Sequence, residues 1–194
     1  MVTAKQRAVV VAKEPRKGIL VEAGIARLLA LGVLLILAVA LQSTLLSRLT
    51  FLGVIPQLVL VVVVSMAWSG GERVGVTTGF AAGLLLDLLT LPQSITGLYS
   101  LTYTMVGFSV GFFRVFVPAE SVWTPVFTVA IASAVAEFGY SAMNIMMGQK
   151  WVGLGFSAKV AGLVVLYNTL LTPFVYPLVR RIAEKYSPGK VFRI

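Results

Sequence analysis

Few side chains in this 194-residue chain can do chemistry. It has no cysteine and no histidine. That removes disulfides, thiolate metal sites, the cysteine nucleophile, the commonest general base and the commonest transition-metal ligand. Its acids are Glu14, Glu22, Glu72, Asp87, Glu120, Glu137 and Glu184, and only Asp87 and Glu137 fall inside long apolar stretches. No nucleophile–base pair, P-loop or dinucleotide glycine motif is visible, so the chain reads as non-enzymatic, with no cofactor and no metal site. An acid at the centre of a membrane span costs about 2.5–3.5 kcal/mol on insertion scales, so it needs a partner, a cavity or a proton. Two amides, Gln42 and Asn168, lie in other apolar stretches. At 1.5 Å per residue, Gln42, Asp87, Glu137 and Asn168 all fall between the midplane and the outer surface. This polar intramembrane cluster admits three readings: structural hydrogen bonding, a cavity or binding surface, and proton or ion coupling. Arg48, Lys150 and Lys159 stand near the outer ends to supply compensating charge.

Spacing adds geometry. Gly75, Gly79, Gly83 and Asp87 are four apart and share one face of a helix, a stripe that lets a neighbouring backbone approach closely. Gly107 and Gly111 repeat the pattern one stretch later. These positions are candidates for helix packing within the molecule or for binding a partner. Ser133, Glu137, Tyr140, Ser141 and Asn144 trace a polar side of a further helix,. Trp68, Tyr99, Tyr103, Trp123, Trp151 and Tyr186 lie near the ends of apolar stretches and read as interfacial anchors.

The elements that must hold these residues are membrane spans. The chain is 58% hydrophobic and 12% charged, with mean hydropathy +0.95, which excludes a soluble globule. A span needs about 17–25 mostly apolar residues. Six stretches are predicted as helices: 26–46, 54–68, 74–91, 97–117, 121–147 and 160–179. The second is short, opens at Pro56 and holds four successive valines. With both termini cytoplasmic, thirteen Lys and Arg fall inside and only Arg48, Lys150 and Lys159 outside, as the positive-inside rule requires. The expected organisation is a basic cytoplasmic tail (1–25), a six-helix transmembrane domain (26–182) and a basic cytoplasmic carboxyl tail (183–194). Within the first tail, Pro15 and Gly18 interrupt any long helix,. It reads as a topogenic tail, with an interfacial helix or a contact for a cytoplasmic partner as the other reading. Ala38-Val39-Ala40 also leaves open a cleaved signal peptide, and hence five spans. The formal net charge of +9 implies affinity for anionic lipids and no nucleic-acid role.

The segment from Arg73 to Arg114 resembles the MreD family of rod shape-determining proteins. Gly83 to Leu88 (Gly-Leu-Leu-Leu-Asp-Leu), Gly97-Leu98, Tyr103, Gly107 and Gly111 carry the likeness. So do Leu41-Gln42-Ser43-Thr44, then Gly53 and Pro56, then Leu166-Tyr167-Asn168 and the run Pro173 to Arg181. The likeness covers most of residues 25–182. The family often has Asp after the proline, where this chain has Gln57. The resemblance implies an all-α polytopic membrane protein, similar to the six-helix substrate-capture subunits of energy-coupling-factor transporters. It implies a non-catalytic scaffold in the bacterial cytoplasmic membrane, binding MreC. Through MreC it would help couple MreB filaments to the peptidoglycan synthase RodA and a penicillin-binding transpeptidase. In that reading Gly79 and Gly83 would admit a helix of MreC, and Asp87 would orient polar contacts. The alternative is a vitamin-type capture subunit.

Overall fold

The computed structural model describes residues 17–48, 52–90, 95–117, 123–148 and 154–185. Among these residues the chain is all-α. The helices are α1 (Lys17–Thr44), α2 (Leu58–Gly70), α3 (Glu72–Leu89), α4 (Leu98–Phe113), α5 (Thr124–Met146) and α6 (Leu154–Lys185). Each overlaps one of the six predicted stretches. Leu29–Arg48, Thr124–Met146 and Gly155–Lys185 are long and apolar enough to cross a membrane.

α2 starts at Leu58, with Gln57 as its cap and Pro56 ahead of it, rather than at Pro56. α2 and α3 each outrun a predicted limit by two residues, and α1 and α6 outrun theirs by more. α1 begins at Lys17, inside the segment read as a tail. Gly18 falls in its first turn, where a weak helix former disturbs few bonds. α6 runs on to Lys185 through Pro173 and Pro177. The rest of the amino-terminal tail (1–16), residues 186–194, and the positions of Glu14, Glu120, Lys150, Trp151 and Tyr186 lie outside the described residues.

Helix α2 is the axis of the bundle and packs against each of the other five helices. Leu58 to Ala67 are all buried. A helix apolar on every side must be enclosed by protein or by lipid, and here protein encloses it. Its valines are short and stiff, which keeps the helix thin enough for five neighbours. The tightest pair around it is α3 with α4, followed by α5 with α6. The α4–α5 contact is less extensive than either and leaves a groove.

The glycine stripe builds the α3–α4 pair. A Cβ on Gly75, Gly79 or Gly83 would come closer than 3.0 Å to backbone atoms of Gly107, Tyr103 or Ser100, respectively. The same holds for Gly107 against Gly75 and for Gly111 against Glu72. The backbones therefore touch, and no side chain larger than hydrogen fits. The face that was to admit a helix of MreC is filled by α4 instead. Gly71 (φ 87°) alone joins α2 to α3, and its left-handed backbone makes the reversal that a side chain would strain.

Candidate functional site

Helix α2 has thirteen residues, about 20 Å at 1.5 Å per residue. The hydrocarbon layer is about 30 Å thick. The helix starts at a part-buried position in the bundle, where its first N–H groups have no helical partner. Side chains from two other helices supply the acceptors. The Gln57 N–H donates to Asn168 Oδ1 at 3.0 Å. The Val59 N–H donates to Gln42 Oε1 at 2.8 Å. Asn168 donates in turn from Nδ2 to Ser133 Oγ on α5 at 2.9 Å. Both amides thus work as remote caps, joining α1 and α6 to the start of the central helix.

Gln57 is the hub. Its Nε2 donates to Glu137 Oε1 on α5, and the Tyr103 hydroxyl on α4 makes a long 3.4 Å contact to its Oε1. Tyr99 stacks on Tyr140 with ring centroids 4.7 Å apart and meets Tyr103 edge-on at 5.9 Å. Five helices and the residue preceding α2 thereby close one polar knot. Glu137 faces the bundle interior. On the same side of α5, Ser133 and Asn144 are buried, and Asn144 Nδ2 donates to the Tyr140 carbonyl at 2.9 Å.

Asp87 does a parallel job for α4. Its Oδ2 accepts from the Ser100 N–H at 3.0 Å and from the Ser100 hydroxyl at 2.6 Å. Its Oδ1 accepts from the Tyr99 N–H at 3.2 Å. A carboxylate with no exposed surface thus sits at the positive end of a helix dipole, where negative charge is stabilised. The glycines above it bring α4 close enough for these bonds.

The structure joins Glu137 and Asn168 directly through Gln57, brings Gln42 to the same helix start through the Val59 N–H, and places Asp87 at the start of α4. Arg48, Lys150 and Lys159 were expected to balance the acids. Among the described residues Asp87 and Glu137 are met by N–H, hydroxyl and amide donors, and Glu184 pairs with Arg180 at 2.8 Å. Tyr99 and Tyr103 are corrected as well. Tyr103 is 2% exposed and belongs to the interior, because its ring packs on Tyr99 and its hydroxyl reaches Gln57. Trp123, by contrast, is exposed, as an interfacial anchor would be. The sequence reading missed Gln57 as a member of the site. Its signal was an amide directly after Pro56, at the mouth of an otherwise apolar helix.

Apolar helices on the outside and polar side chains turned inward to one another define a helical membrane protein of structural type. The family model described as rod shape-determining protein MreD matches residues 24–182. The chain belongs to the MreD family, a membrane protein family with a role in rod shape determination. No curated protein and no solved structure matches it.

Proposed function

We propose that the protein is a non-catalytic scaffold of the cell-elongation machinery in the bacterial cytoplasmic membrane. It binds MreC and helps couple cytoplasmic MreB filaments to RodA and its partner transpeptidase. Family membership over residues 24–182 carries this reading. The knot agrees with it: its amides, carboxylates and hydroxyls bond to one another, as suits a body that holds its shape. Those same side chains would have to turn to a ligand in a vitamin-capture subunit, and nothing favours that alternative.

The proposed topology is six spans with both termini cytoplasmic. Arg73, Arg114, Arg180, Arg181 and Lys185 gather at the end of the bundle where α2, α4 and α6 finish. Arg48 and Lys159 lie toward the opposite end. The positive-inside rule makes the first end cytoplasmic. With the glycine face filled by α4, MreC is expected on the apolar outer faces.

Pull-down from native membranes in mild detergent tests the assignment. MreC should co-purify in near-stoichiometric yield, and depletion of the protein should round rod-shaped cells. A folded protein that brings down no MreC and whose loss leaves cell shape unchanged would refute it.

A further inference from the structure

The cytoplasmic-side end of the bundle carries a second arrangement, independent of the knot. Arg114, just past α4, donates from Nη1 to the Trp68 carbonyl in the last turn of α2 at 2.9 Å. Arg180 on α6 donates from Nε to Glu184 at 2.8 Å. A guanidinium has five N–H donors; Arg180 also meets the Tyr176 hydroxyl, and donors remain on both arginines. Arg114, Arg180, Tyr176, Ser69 and Trp68 line a half-open polar cavity of about 210 Å³, with Glu184 as its one acid.

Trp68 also borders the groove between α4 and α5, a cavity of about 400 Å³. Val106, Val110, Phe113, Ile131 and Val135 wall it. Its two hydroxyls, Ser109 and Thr128, are turned back to carbonyls of their own helices, Met105 and Thr124. The slot is therefore lined mainly by hydrocarbon, and at Trp68 it adjoins the cavity that holds Arg114 and Arg180. A phosphate is the group that two guanidiniums recognise best, and an acyl chain is what an apolar slot takes.

We propose that this site binds one anionic phospholipid, its phosphate between Arg114 and Arg180 and one chain along the α4–α5 groove. Charge selects the lipid over a partner's helix, since an apolar helix makes no use of the two arginines in the adjoining cavity. Only the naming of the leaflet rests on the topology proposed above.

The test uses the full-length protein in mild detergent. Native mass spectrometry follows titration with phosphatidylglycerol and with phosphatidylcholine of the same chains. One phosphatidylglycerol should bind about thirtyfold tighter than phosphatidylcholine, from about 1 kcal/mol for each of two arginines near a lipid headgroup. Arg180→Gln should remove part of that preference, and Arg114→Gln with Arg180→Gln should remove most of it. Val135→Trp should weaken both lipids and keep their ratio. Arg181→Gln, exposed on the same helix but outside the cavity, should change nothing. Thermal unfolding without added lipid confirms that each variant is folded. The proposal is overturned if Arg181→Gln acts as strongly as Arg180→Gln, or if Val135→Trp leaves both affinities intact. It is also overturned if a photo-crosslinker at Val135 in native membranes captures one protein and no lipid. Loss of lipid selectivity leaves MreC co-purification untouched, so this proposal and the scaffold reading fail separately.

Discussion

Helices α1 and α2 are equally devoid of charge over their apolar runs, LLALGVLLILAVAL and LVLVVVV, yet they occupy opposite places. In α1, Leu29, Val33, Ile36, Leu37 and Leu41 are exposed on the rim, while Leu31, Leu35, Ala38 and Val39 face inward. In α2 every residue from Leu58 to Ala67 is enclosed. Hydrophobicity cannot sort the two, because lipid tails are as apolar as leucine. Girth and polar ends sort them. Short valines let neighbours crowd around α2, and its uncapped start draws Gln42 and Asn168 to it. Leucine on α1 needs only lipid beside it.

Substitutions can break or sharpen this contrast. The largest effect is expected from Val62→Phe, which overfills the axis and should cost about 3 kcal/mol. Ile36→Phe on the rim should stay within about 0.5 kcal/mol. Thermal or steric-trap unfolding in bicelles reads both, and equal costs would abolish the distinction between axis and rim. Next come the remote caps. Asn168→Ala and Gln42→Ala should each cost about 1–2 kcal/mol, with Asn168 the larger because it also donates to Ser133. The reverse order would mean that α1 rather than α6 anchors the start of α2. The smallest effect is expected from Glu137→Gln. The new amide keeps an oxygen for Gln57 Nε2, so stability should fall by less than about 0.5 kcal/mol. A loss above about 2 kcal/mol would show that the knot depends on negative charge.

Much of this was legible in the residues. The four-residue spacing from Gly75 to Asp87 placed three glycines and an acid on one face, and that face is the α3–α4 seam. The spacing could not say whether α4 or a partner would fill it, because a bare backbone admits any helix. The stripe on α5 marked an inward side for the same geometric reason. Gln57 was noted only as a departure from the family's Asp, because a single amide at the mouth of an apolar run has no period to reveal its role. Tyr99 and Tyr103 were misplaced because nearness to a span end is shared by interfacial rings and by rings that fill a bundle. The centrality of α2 has no hydropathic signature at all, since its composition suits acyl chains as well as protein. That Arg114 and Arg180 line one cavity also stayed hidden, because it depends on how the helices assemble.

The bond from Gln57 to Asn168 joins residues 111 positions apart, and this sets an order of events during synthesis. The α3–α4 hairpin is complete once residue 113 has been made, because its seam and the Asp87 bonds lie within it. The central helix must wait for the last one, with an open N–H at its head until residue 168 leaves the ribosome. Until Asn168 has been made, the start of the central helix lacks this acceptor, so the axis of the bundle is among the last parts to be completed.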